Sequence, residues 1–165
     1  VGLKLTEIPD GEKVFIDANI FLYSAFDHPT FGRNCRDLLT RVENKEIKGC
    51  SSDFVLSEVF HKLTVAEISS VYGVEVRKAK KLFKERPEII DELKIVWVEM
   101  ELIKNFNLGL LDGALFPDFV VLSRRYSLMA ADAIHLAMMR LNEVTNIATN
   151  NNDFERVEGI TQWKP

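Results

Sequence analysis

Lys13-Val14-Phe15-Ile16-Asp17 is a short apolar run closed by an acid. It is too brief for a helix and rich in β-branched and aromatic side chains, so it reads as a buried strand. Comparable runs fall at Gly49 to Ser52, Ile95 to Val98 and Asn146 to Thr149. Helical periodicity fills the intervals. After His28-Pro29-Thr30, which offers a turn and an N-cap, come Phe31, Cys35, Leu38, Leu39 and Val42. After Asp53, a second cap, come Val55, Leu56, Val59, Phe60 and Leu63. Val76, Ala79, Leu82 and Phe83 form a third apolar face before Pro87, and 118–126 and 131–141 read as two further helices. Strands that alternate with helices predict an α/β fold: a central, mainly parallel sheet flanked by helices in three α/β/α layers.

The 165 residues contain no internal repeat, low-complexity tract or Gly/Ser linker, so one domain spanning 1–165 is expected. No apolar stretch is long enough to cross a membrane, and Val1-Gly2-Leu3-Lys4 lacks the apolar region of a signal peptide; the expectation is a cytoplasmic protein. Cys35 and Cys50 stand far apart without His neighbours and read as small buried hydrophobes rather than zinc ligands or a disulfide. A formal net charge of -4 excludes a protein that coats nucleic acid by bulk electrostatics. It does not exclude a nuclease, because clustered carboxylates account for such a charge and bound cations reverse the local sign.

Four acids admit a functional reading beside the structural one. Asp17 ends a strand, and its structural role would be an N-cap for the helix that follows. Glu58 lies at the edge of an apolar helix face. Asp132 sits in the first turn of a helix that is apolar nearly all round, where a carboxylate needs a cap, hydrogen bonds or a cation. Asp153 closes the polar run Thr149-Asn150-Asn151-Asn152 and, taken singly, is a turn residue. Strand ends are where α/β sheets bind ligands, which places Asp17 and the 149–153 segment together. Carboxylates held close raise one another's proton affinity unless a cation intervenes. Oxygen donors without His or Cys select Mg²⁺ or Mn²⁺, ions that orient and activate water against a phosphodiester.

Phe15-Ile16-Asp17-Ala18-Asn19, Val55-Leu56-Ser57-Glu58-Val59, Ala130-Ala131-Asp132-Ala133-Ile134-His135-Leu136-Ala137 and Thr149-Asn150-Asn151-Asn152-Asp153-Phe154, in that order, resemble the PIN-domain nucleases. The resemblance runs from about Lys13 to the C-terminus. It implies Asp17, Glu58, Asp132 and Asp153 as the metal-binding, catalytic acids, with Asn19, Thr149 and Asn151 in support. Relatives carry an acid at the position of Asn151, which leaves the number of ions open. The resemblance gives His135 no catalytic role, and a packed helical histidine is the expectation. It implies a Mg- or Mn-dependent endoribonuclease, resembling toxins of VapBC-type toxin–antitoxin pairs, with an RNA substrate, an antitoxin partner and a homodimer. The same domain serves in RNA processing and ribosome maturation, and a non-catalytic binding module is a further alternative.

A haloacid-dehalogenase-type phosphatase also places an Asp after its first strand, but its second acid would fall at Asn19. The chain is longer than the plainest toxins, with a helical insertion expected at roughly 64–99. There Arg77, Lys80, Lys81 and Lys84 make a basic face that is either a solvated surface or an RNA contact. Arg33, Arg36 and Arg41 form a second such patch.

Overall fold

A computed structural model describes residues 2–165. The six strands are β1 (Leu3–Lys4), β2 (Lys13–Ile16), β3 (Lys48–Ser52), β4 (Gly109–Leu111), β5 (Asn146–Ala148) and β6 (Thr161–Lys164). They form one sheet in the order β1-β6-β5-β2-β3-β4, and every pairing is parallel. Parallel neighbours require crossovers, and helices supply most of them. The chain passes from β2 through α1 (Ala18–Ala25) and α2 (Gly32–Glu43) to β3. It then runs through α3 (Asp53–Tyr72), α4 (Val76–Glu85), a 3₁₀ turn (Pro87–Glu92) and α5 (Ile95–Lys104) to β4. From there α6 (Asp118–Tyr126) and α7 (Ala130–Leu141) cross back to β5 on the far side of β2.

The strand order therefore reverses between β2 and β5, and in open α/β sheets the crevice at such a reversal, outside the carboxyl strand ends, is where ligands bind. Val14, Phe15, Ile16, Ile147 and Ala148 are fully buried, so the strands that flank the crevice are rigid core. Gly49 lets α2 lie close to β3, since a Cβ there would stand 2.5 Å from Val42 Cγ1. Among the described residues, no helix is long and apolar enough to cross a membrane. Cys35 and Cys50 are free and buried, and burial pushes their thiols up to about 12 and about 11.

The structure corrects several local expectations. Ile95 to Val98 begins a helix, not a strand. The Glu67 carboxylate accepts from the backbone N–H groups of Lys94, Ile95 and Val96 at 2.7, 2.9 and 2.8 Å, satisfying amides that open a helix, while Val96 and Ile103 turn inward. A short apolar run does not distinguish the two states, and this tertiary cap decides it. The strand on that side is instead the three-residue edge β4. Ser52, not Asp53, caps α3, its Oγ accepting from Val55 N at 3.3 Å, and Gly73 ends that helix at φ 62°. Ahead of α2 it is His28 Nδ1, not the Thr30 side chain, that accepts the amides of Thr30 and Phe31.

Candidate active site

Asp17 leaves β2 at the crevice and is the N-cap of α1, so capping and site geometry coincide in one residue. Its Oδ1 accepts from Ala18 N at 2.7 Å. Its Oδ2 accepts from Asn19 Nδ2 and from the Thr149 hydroxyl, both at 2.6 Å. Thr149 is fully buried at the end of β5, and Asn19 Nδ2 also reaches its Oγ1 at 3.0 Å. The Thr149 hydroxyl in turn accepts from Asn151 N, and Asn19 Oδ1 accepts from Asn150 N. The strand end, the first turn of α1 and the 149–151 loop thus hold one another through polar side chains.

Asn151 extends this network to α7. Its Nδ2 donates to Asp132 Oδ1 at 3.0 Å while its Oδ1 accepts from Asp153 N at 3.0 Å, which fixes the orientation of the amide. Burial raises the proton affinity of the Asp132 carboxyl. The Asn151 hydrogen bond and His135 oppose that rise, and the negative charges of Asp17 and Asp153 add to it. Asp132 therefore senses the charge of two of the other three acids.

His135 lies between Phe15 and Phe54, with ring centroids 5.5 and 5.7 Å away. It is buried, its Nδ1 has no hydrogen-bond partner, and its Nε2 is 3.8 Å from Asp17 Oδ1. Burial lowers the proton affinity of its ring, against the pull of Asp17, Asp132 and Glu58. A packed histidine, not a solvent-facing base, is what the structure shows.

Glu58 and Asp153 stand at the rim. Glu58 Oε1 pairs with Lys62 at 2.6 Å one helical turn on, and Asp153 Oδ1 pairs with Arg156 at 2.8 Å. With these two acids held by cations of their own, no three His, Cys, Asp or Glu side chains among the described residues close around a common point. The donor chemistry nonetheless fits a hard divalent cation: carboxylate, amide and hydroxyl oxygens, with a half-buried Asp132 whose charge is under-compensated.

Gln162 was not singled out by the sequence. From β6 its Nε2 donates to the carbonyls of Thr149 and Asn151 at 3.3 and 2.7 Å and so fastens the loop from the neighbouring strand. A lone amide in Thr-Gln-Trp-Lys carries no such signal, because β6 itself is too short for its pattern to fix a register.

The basic residues do not form one free surface. Arg77 pairs with Glu75 at 2.5 Å and Lys81 with Glu85 at 3.7 Å. Lys80 and Lys84 have no carboxylate partner among the described residues and line an apolar cavity of about 250 Å³ with Phe60, Val65, Ile68 and Phe83. Arg36 is taken by Asp27 and Arg41 by Asp10 and Glu46, which leaves Arg33 of the second patch.

Known proteins resemble this chain in sequence and in fold. The PIN-domain family model matches residues 14–160. Ribonuclease VapC2 of Methanocaldococcus jannaschii is 27% identical over 147 residues, covering 88% of this chain and 89% of that protein. VapBC2 from Rickettsia felis, solved bound to a DNA fragment from its promoter, superposes with a TM-score of 0.57 at 15% identity, over 93% of this chain and 98% of that one. A toxin–antitoxin complex from Klebsiella pneumoniae gives a TM-score of 0.50 at 22% identity, over 89% and 94%.

Proposed function

The chain belongs to the PIN-domain family, and from that premise we propose that it is an endoribonuclease of the VapC toxin type. It hydrolyses RNA phosphodiester bonds with Mg²⁺ or Mn²⁺ held by Asp17, Glu58, Asp132 and Asp153. The observation that carries the reading is the partly buried network at the β2/β5 crevice, in which Asn19 and Thr149 present Asp17 while Asn151 presents Asp132. Capping alone needs only the Ala18 amide; the pairing of β5 with β2 sets Thr149 beside Asp17, and its hydroxyl adds a donor that the cap does not use. The name of the Methanocaldococcus relative and the fold shared with the toxin–antitoxin complexes support ribonuclease activity and a cognate antitoxin as partner. By the same reading the chain is one PIN-like domain, with the 64–99 segment a helical addition, and it assembles as a homodimer.

A divalent cation supplies positive charge for the phosphodiester oxygens and eases loss of a proton from the attacking water. Asp17 and Asp132 form the fixed part of the site, because each accepts hydrogen bonds from neighbours that are themselves tied down. Glu58 and Asp153 form its adjustable part, since each gives up a surface ion pair, with Lys62 and Arg156, to turn inward. Such exposed pairs are worth about 0–1 kcal/mol, a small obstacle. Hydrolysis joins a water oxygen to phosphorus as the P–O bond to the leaving ribose oxygen breaks and that oxygen takes a proton. His135, buried against Phe15 and Phe54, packs behind Asp17 and is shielded from solvent.

The test is cleavage of a mixed set of labelled RNAs in chelator, followed by addition of Mg²⁺ or Mn²⁺. Cutting that begins only on addition supports the reading. Cutting that persists in chelator contradicts it.

A further inference from the structure

Phe54 is a large apolar side chain left 42% exposed at the edge of the acidic site. It lies in the first turn of α3, four residues before Glu58, so the two side chains share one face of the helix. Its ring meets His135 edge-on at 5.7 Å, and His135 Nε2 is in turn 3.8 Å from Asp17. The exposed ring is thus attached to the group that backs the buried acid and stands over the helix face that carries the rim acid.

We infer that Phe54 is a stacking platform for a nucleobase of single-stranded RNA next to the scissile phosphate. The inference rests on the ribonuclease reading above. A strand that brings a phosphate to Asp17 and Asp132 carries its adjoining base within reach of this ring. One exposed aromatic face suffices for that base, because stacking needs no wider apolar surface and tolerates any base. A docked protein would need a contiguous apolar patch. The neighbours of Phe54 on its own helix face do not make one: Ser57, His61 and Lys62 are all exposed and polar. Leu56, the nearest apolar residue on α3 that is not fully buried, instead lines a different hollow with Met100, Ile103 and Leu108. The edge-on contact with buried His135 also restricts the ring on one side, which lowers the side-chain freedom lost when a base settles on it.

The test uses full-length protein carrying Phe54→Ala, Phe54→Leu or Phe54→Trp. Readouts are kcat and KM on single-stranded RNA, and binding of the same RNA by Asp132→Asn protein in chelator with and without Phe54→Ala. Melting temperatures confirm folding. The expected result is a KM and a Kd raised on the order of tenfold by Phe54→Ala, with kcat little changed. Phe54→Leu, which keeps apolar bulk without a π face, behaves like Phe54→Ala, and Phe54→Trp restores wild-type KM. An abasic nucleotide beside the cleavage point removes the difference between wild type and Phe54→Ala. Equal KM and Kd for wild type and Phe54→Ala, or full retention by Phe54→Leu, overturns the inference while leaving the ribonuclease reading intact. Unchanged KM with weakened inhibition by a protein partner also overturns it and assigns the ring to that partner. Failure of the wild type to bind or cut any RNA overturns both.

Discussion

The crevice at the carboxyl end of the sheet and the helical stretch around α4 handle charge in opposite ways. At the crevice, polar side chains far apart in sequence seek one another: Thr149 and Asn19 meet on Asp17, and Asn151 crosses to Asp132 on α7. Around α4 the charges close on their nearest neighbours, Arg77 on Glu75, Lys81 on Glu85 and Arg86 on Glu88. The first arrangement ties partly buried polar groups together at the carboxyl end of the β2–β5 pairing. The second is the ordinary behaviour of a solvated surface, where such pairs contribute little. The exception on the helical side is Glu67, a buried carboxylate that reaches 27 residues ahead to hold the start of α5. In the proposed function long-range polar contact at the crevice serves chemistry; here it serves assembly.

That division can be broken experimentally. Glu67→Ala leaves three helix-opening amides without their acceptor and is expected to destabilise the protein by about 2–3 kcal/mol, measured by urea unfolding. Residual folded enzyme should keep its kcat, and a diminished kcat in folded protein would make Glu67 part of the site. Burial pushes the Glu67 carboxyl upward, and the three amide donors outweigh it, leaving it below its ordinary value of 4.5. A depressed carboxyl stabilises the fold fully above its unfolded value, and that contribution is lost as pH falls through the folded value. Wild type should therefore lose stability more steeply than Glu67→Gln as pH drops below about 4.5.

Next in size is Thr149→Val, which removes one donor from Asp17 without changing the side chain's shape. Cation affinity and cleavage should fall by about 10–100-fold. The hydroxyl also accepts from Asn19 Nδ2 and Asn151 N, so the melting temperature in chelator should fall as well. A Thr149→Val protein as active as wild type would reduce the crevice network to mere packing. The smallest effect belongs to the basic face. Lys80→Ala with Lys84→Ala should flatten the dependence of log K on log salt for RNA binding by about 0.7 for each phosphate that the variant no longer neutralises. Arg77→Ala with Lys81→Ala, already neutralised by neighbours, should leave the slope unchanged. Equal slopes in both double variants would reduce the whole of α4 to solvated surface.

The same contrast explains what the sequence made legible. The helices follow from apolar periodicity and β2 from its apolar run. Asp17 and Asp132 stand out because a carboxylate interrupts apolar surroundings, while Asn19 and Thr149 were legible only through the family resemblance. The outer strands were not legible. The edges β1 and β4, and β6 just inside β1, gain their pairing from the sheet, not from an apolar pattern of their own. Ile95 to Val98 misled for the same reason in reverse, since an acid on another helix decides its conformation. The network position of Asn151 was visible as a polar residue in a loop, but which way its amide points depends on contacts to Asp132 and to Asp153 N that only the fold brings together.

The central claim, that the acids at the β2/β5 crevice cut RNA, is tested most directly by comparing purified wild type with Asp132→Asn on labelled RNAs in Mg²⁺, Mn²⁺ or chelator. Melting curves verify that both proteins are folded. Cleavage that requires the cation and is lost in folded Asp132→Asn is the predicted result. Equal cleavage by the two proteins would contradict it.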